Sequence, residues 1–260
     1  MGGILYREEG HVALVTIDRQ HVANALDGDS EAELRRVWDG LESRRDIWAA
    51  VLTGAGEKAF CAGSDMSAQA VKVSGADYWL QERPGGFGGI AVRRTLDIPV
   101  IAAVNGHALG GGLEMVLGCD IVIAAEEARL GLPEPTVGRL PLDGGIYLLS
   151  RQLPHHLAMG MLLTGRQIPA AEAARLGLVN EVVPRAELKA AVGRWLEQIL
   201  RCAPLSLRAI KQMIQLSEGA PIGQAVRLKH PALLEALKSS DAEEGLRAFQ
   251  EKRRPNWSGS

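Results

Sequence analysis

Ile98-Pro99-Val100-Ile101-Ala102-Ala103-Val104-Asn105-Gly106-His107-Ala108-Leu109-Gly110-Gly111-Gly112-Leu113-Glu114 is the stretch on which the fold turns. An apolar run from Ile98 to Val104 stops at Asn105-Gly106, and three glycines then open a helical pattern. A short, continuously apolar run bounded by turn residues reads as a strand covered on both faces. Glycines let another group approach the backbone closely. The first N–H groups of a helix have no partner within it and carry the positive end of the dipole. The segment is therefore either a tight strand-to-helix turn or a place that suits an anion or an oxygen gaining charge. No Lys-Ser/Thr follows the glycines and GxGxxG is absent, which excludes a P-loop and a dinucleotide fingerprint.

Outward from this stretch the same pattern recurs. Val12–Asp18, Ala49–Thr53, Cys119–Ala125 and Leu178–Val183 read as further strands. Helical spacing appears at Gly112–Leu117, Gly144–Leu153, Leu157–Leu163 and Ala170–Leu176. Asp27-Gly28-Asp29 breaks the chain, and Ser30 with Glu33 gives a capping-box signal for a helix carrying Leu34, Val37, Trp38 and Leu41. Short apolar strands alternating with helices predict an α/β core over residues 1–184. Only helices are read beyond Pro184: Arg185–Cys202, Leu205–Leu216, Ile222–Leu237 and Asp241–Lys252, forming a helical C-terminal region over 185–260. Leu207, Ile210 and Ile214 share one face there, which should be buried on the core or on another subunit.

Composition bounds the function. The 260 residues are 47% hydrophobic, enough for a substantial core, and the formal net charge of -2 gives no basic block suited to nucleic acid. Cys61, Cys119 and Cys202 are odd in number and form no CxxC pair, so buried reduced thiols in a cytoplasmic protein are expected, with no metal site. Met1-Gly2-Gly3-Ile4 shows no signal-peptide pattern, and no run approaches the ~18 apolar residues of a membrane span.

A second glycine-turn segment, Ala59-Phe60-Cys61-Ala62-Gly63-Ser64-Asp65, follows the Ala49 strand. Its small residues can expose another backbone N–H, and two such donors converging on one carbonyl oxygen would make an oxyanion hole. Glu114 sits in the first turn after the glycines, where interaction with the helix dipole alone could account for it. Glu134 lies in Gly131-Leu132-Pro133-Glu134-Pro135, a stiff loop in which a solvated charge is the plain alternative. Two carboxylates beside such a hole would suit acid–base work on the carbons next to a carbonyl.

These motifs, together with Asn24-Ala25-Leu26, Cys119-Asp120, Gly144-Gly145, Leu163-Thr164-Gly165-Arg166 and Ala248-Phe249-Gln250-Glu251-Lys252-Arg253, resemble the enoyl-CoA hydratase/isomerase family, also called the crotonase family. The resemblance runs nearly end to end. It implies a spiral of strand-strand-helix turns followed by a helical region that builds homotrimers, often paired into hexamers. It implies hydration of the 2,3 double bond of an enoyl-CoA, placing the chain in fatty-acid or related acyl-CoA metabolism. Coenzyme A would be part of the substrate, with no further cofactor. By the same resemblance, the Ser64 and Gly111 N–H groups form the oxyanion hole, Glu114 activates water and Glu134 exchanges the α-proton. Ala62, Asp65, Met66 and Gly110 would line the thioester, and Phe249 and Lys252 would reach the coenzyme A of a neighbouring chain from one helix face. Ser64 stands where family members usually have alanine, which a backbone donor tolerates. Asp143, in Pro141-Leu142-Asp143-Gly144-Gly145, departs from common hydratases. It is either a loop turn or a third carboxylate for a polar acyl substituent or for double-bond isomerisation. Pro84-Gly85-Gly86-Phe87-Gly88-Gly89 resembles the loop of carnitinyl-CoA dehydratase-like members. It either shapes the acyl pocket with Trp79 and Phe87 or is a mobile surface loop.

Overall fold

The computed structural model describes residues 3–67 and 74–260; Met1 and Gly2, part of the expected leaderless start, lie outside the described residues. Ten strands are present among the described residues: β1 (Ile4–Glu9), β2 (Val12–Ile17), β3 (Ala49–Gly54), β4 (Ala59–Cys61), β5 (Val100–Val104), β6 (His107–Leu109), β7 (Ile121–Ala125), β8 (Arg129–Gly131), β9 (Gln167–Pro169) and β10 (Glu181–Val183). Six helices accompany them: α1 (Gly28–Glu42), α2 (Gly75–Leu80), α3 (Gly111–Leu117), α4 (Gly145–Gln152), α5 (His155–Thr164) and α6 (Ala170–Arg175). Beyond β10 follow α7 (Leu188–Leu200), α8 (Pro204–Ser217), α9 (Ile222–Ala225), α10 (Pro231–Leu237) and α11 (Ser240–Gln250).

The strands form two sheets, one ordered β1-β2-β3-β5-β7-β10 and one ordered β4-β6-β8-β9. In the large sheet only the β1–β2 hairpin is antiparallel; β2, β3, β5, β7 and β10 run parallel, with Leu52 facing Ala102 and Ala102 facing Val122. Its central strands are buried on both faces, which explains why they read as unbroken apolar runs. Three times the chain leaves this sheet and at once adds a three-residue strand to the small one, at β3–β4, β5–β6 and β7–β8. This is the strand-strand-helix spiral that the resemblance implied. The short strands were invisible to periodicity, because three residues cannot display a period.

Every residue of α3 is buried, packed on β4 and β6 of the small sheet and against α4, with Phe60 and Phe87 in the same core. The α1 start differs from the capping-box expectation. Asp27 is the cap, its Oδ1 accepting from the Ser30 N–H at 2.9 Å, and the Ser30 hydroxyl instead accepts from Arg19 Nη1. The expected Ile222–Leu237 helix is split, because Pro231 has no N–H to give a continuing helix and starts α10 instead, with His230 as its cap. Of the three cysteines only Cys61 is buried; Cys119 is half-buried and Cys202 exposed, since Cys202 falls past the end of α7. On α8, Ile210 and Ile214 point away from the protomer, so the core is not what they cover.

Candidate active site

Gly110 and Gly111 open α3 at the end of β6, and the local backbone demands glycine. Gly110 has φ +56° and ψ −128°, a conformation L side chains avoid. A Cβ there would also lie 2.8 Å from Glu134 Oε1, so the carboxylate of Glu134 rests directly against this backbone. At Gly111 a Cβ would lie 2.6 Å from the Phe87 ring. The expected glycine segment thus contains a strand, β6, before its helix.

The second segment comes to the same place. Gly63, at φ +93°, packs so tightly that a Cβ would sit 3.2 Å from the Gly111 nitrogen. Its neighbour Ser64 is therefore beside Gly111, although the two lie on separate turns of the spiral. No backbone carbonyl among the described residues accepts from the Ser64 or Gly111 N–H. Two unengaged donors side by side can stabilise an oxygen that gains negative charge. Ser64 is fixed by its flanks: the Leu26 N–H donates to the Gly63 carbonyl at 2.9 Å, and the Asp65 N–H to the Leu26 carbonyl at 2.8 Å. Asp65, expected to contact substrate, has its oxygens taken by the Ser67 N–H at 3.0 Å and Arg19 Nη2 at 3.1 Å. The Ser67 bond holds its carboxyl below the ordinary range. Ala62 and Met66 are exposed on the same loop. Behind it, burial pushes the Cys61 thiol up to about 12, so it stays neutral.

Glu134 reaches this backbone, and Glu114 lies within range of its charge. Glu114 is 3% exposed, and its Oε1 accepts from the Gly145 N–H at 2.8 Å. Burial first, then the charges of Asp143 and Glu134, push its carboxyl up to about 8, against opposing bonds from the Gly145 and Asp143 backbone. Glu134 begins the turn Glu134–Val137. Its Oε2 is buried with no hydrogen-bond partner among the described residues, and burial raises its carboxyl above the ordinary range. A carboxylate with a free buried oxygen is a proton carrier in want of a partner.

Asp143 is buried and engaged rather than open. Its Oδ2 accepts from the Tyr78 hydroxyl, and its Oδ1 lies 3.3 Å from Arg83 Nε. Arg83 also pairs with the buried Glu31 and lies 4.0 Å above the Tyr78 ring. Sequence reasoning missed Tyr78, Arg83 and Glu31, because nothing in their spacing joins them. The glycine-rich loop is packed against α1 and α3 rather than lying on the surface. Trp38 Nε1 donates to the Gly88 carbonyl at 3.0 Å, and Phe87 is buried against Gly111. Trp79 is exposed.

Phe249 and Lys252 are not brought to this site within the protomer. The Phe249 ring is 83% exposed on α11. Lys252 does not share a helix face with it, because α11 ends at Gln250 and Lys252 lies beyond in a left-handed conformation, φ +55°.

A sequence profile described as enoyl-CoA hydratase/isomerase matches residues 7–260. The chain is 40% identical over 252 residues to an (E)-benzylidenesuccinyl-CoA hydratase of Thauera aromatica, covering 96% of each chain. It is 39% identical over 255 residues to a carnitinyl-CoA dehydratase of Escherichia coli, again covering 96% of each. Among solved structures, an enoyl-CoA hydratase from Mycobacterium tuberculosis superposes with TM-score 0.90 at 33% identity, covering 100% of both chains. A short-chain enoyl-CoA hydratase described from Novosphingobium aromaticivorans gives TM-score 0.89 at 37% identity, covering 100% of this chain and 99% of the other. Profile, relatives and superposition agree over nearly the whole chain, which belongs to the enoyl-CoA hydratase/isomerase family.

Proposed function

We propose that the protein is a hydro-lyase that adds water reversibly to the 2,3 double bond of an enoyl-CoA thioester, giving a 3-hydroxyacyl-CoA. One observation carries this reading: the buried Glu114 carboxyl lies within range of the charge of Glu134, which is half-buried against Gly110, beside two N–H groups that have no acceptor among the described residues. The thioester oxygen accepts from the Ser64 and Gly111 N–H groups. Glu114 takes a proton from water as its oxygen attacks the β-carbon, and the electron pair moves toward the thioester oxygen. Glu134 then gives its proton to the α-carbon. One hole donor is worth roughly 3–4 kcal/mol of barrier in such sites.

The pair needs one proton in either direction. Hydration starts with that proton on Glu134, dehydration with it on Glu114, and each turnover passes it from one to the other. The two named activities among the relatives, a hydratase and a dehydratase, are this one reaction run in opposite senses. Double-bond isomerisation with Asp143 as an added base is disfavoured, because Arg83 and Tyr78 occupy its oxygens. The three free cysteines support a reducing, cytoplasmic setting. The exposed apolar face of the helical region supports a homotrimer or a pair of trimers, in which Phe249 and Lys252 serve a neighbour's coenzyme A.

Loss of enoyl absorbance on incubation with crotonyl-CoA tests the reading. Glu114→Gln and Glu134→Gln should each lower kcat by about 10²-fold or more while thioester binding changes little. Near-normal hydration by either variant would remove that residue from the mechanism.

A further inference from the structure

We propose that Asp143 is a positioning residue for Glu114: held by Tyr78 and Arg83, it fixes the loop that grips the Glu114 carboxyl and sets a negative charge beside it. This rests on the hydration reading, in that Glu114 matters there as a proton carrier, and it gives the family departure at position 143 a task.

The geometry has three parts. Glu114 is gripped from the Pro141–Gly145 loop, through the Gly145 N–H at 2.8 Å. Gly145 stands so close that a Cβ would lie 3.0 Å from Glu114 Oε1 and 2.7 Å from Pro141 Cβ, so the loop has no slack there. Two residues earlier, Asp143 anchors the same loop to a different part of the chain, through the Tyr78 hydroxyl and Arg83 Nε. Arg83 is fixed in turn by the buried Glu31 on α1, and the Asp143 carbonyl sits where a Cβ on Gly86 would be only 3.2 Å away. The loop is pinned on both sides, and the pin on one side is a carboxylate.

That carboxylate has a second effect, which an uncharged pin would not have. A like charge beside a carboxyl favours its protonated form. Among the described residues, the charged groups facing Glu114 are Asp143 from the loop before α4 and Glu134 from the turn after β8; Cys61 on β4 is a neutral thiol, and the segment bearing Phe87 offers no charge. Arg83 does not cancel the effect, because it is shared between Asp143 and Glu31. Asp143 thus raises the affinity of Glu114 for the proton it takes from water in hydration and gives back in dehydration.

The test reads Glu114 directly. The carbonyl stretch of its protonated carboxyl is followed by infrared titration of the folded protein and assigned by its loss in Glu114→Gln. In Asp143→Asn, which keeps the shape and one acceptor but removes the charge, the midpoint should fall from about 8 to about 7, the scale of losing one adjacent like charge. The alkaline limb of kcat/KM should move with it, while KM stays within about two-fold, because a residue that acts through Glu114 leaves substrate binding unchanged. Tyr78→Phe keeps the charge and removes a donor that stabilises it, so there the midpoint should rise. A midpoint unmoved in both variants overturns the proposal, as does an Asp143→Asn that only raises KM. Failure of the hydration reading looks different: wild-type protein would then titrate as described yet leave crotonyl-CoA unchanged.

Discussion

At the scale of single residues, Glu114 concentrates the cost of the site. A carboxyl that titrates at about 8 in the folded chain and at an ordinary 4.5 when unfolded makes the native state bind more protons between those values. Stability therefore falls as pH rises through that window, and above it the full penalty is present. Glu114→Gln removes the penalty, so the inactive variant should melt at a higher temperature than wild type at pH 8 and show little difference near pH 4.5. Calorimetry at the two pH values checks both signs. Activity follows the same proton: kcat/KM should decline as pH rises through about 8, where the pair loses its last proton, and stopped-flow rates across pH 6–10 would show it. The residues that bear this chemistry were legible from the sequence because glycines and flanking motifs mark them. The Tyr78–Asp143–Arg83–Glu31 network was not, because its members gain meaning only when α1, α2 and the loop before α4 meet in space.

At the scale of elements, the long apolar strands and the main helices could be read from periodicity, since burial on both faces or on one leaves a repeating pattern. What escaped were β4, β6, β8 and β9, three residues each, and the β1 hairpin strand, most of whose residues are exposed. The small sheet these short strands build is what brings Gly63 to Gly111, so the least readable elements position the best-marked residues. The glycine-rich turn at Phe87–Gly89 shows the same dependence. Gly88 has φ +59°, and a Cβ there would run into Met115 of α3. Gly88→Ala combines a left-handed penalty of about 1 kcal/mol with overpacking of about 1–3 kcal/mol. The melting temperature should drop by roughly 5–10 °C. A shift below about 2 °C would mean the turn yields more freely than its packing against Met115 and Leu34 indicates.

At the scale of the whole molecule, the helical region leaves Ile210, Ile214, Leu237 and Phe249 exposed on one protomer, and the proposed homotrimer would cover them. In the shared-site arrangement proposed above, the Lys252 ammonium pairs with a phosphate of a neighbour's coenzyme A. Lys252→Ala should raise KM several-fold with kcat nearly intact, and the effect should shrink as salt is added. An unchanged KM at low salt, or a fully active monomer in sedimentation, would exclude that arrangement. The meeting of Gly63 with Gly111 has one more consequence. The two free N–H groups belong to separate turns of the spiral, so a ligand oxygen that accepts from both ties those turns together as a strut. Bound thioester then becomes a structural member of the fold. Amide exchange at Ser64 and Gly111, whose N–H groups have no acceptor among the described residues, should slow once the strut is in place, and the melting temperature should climb with ligand concentration.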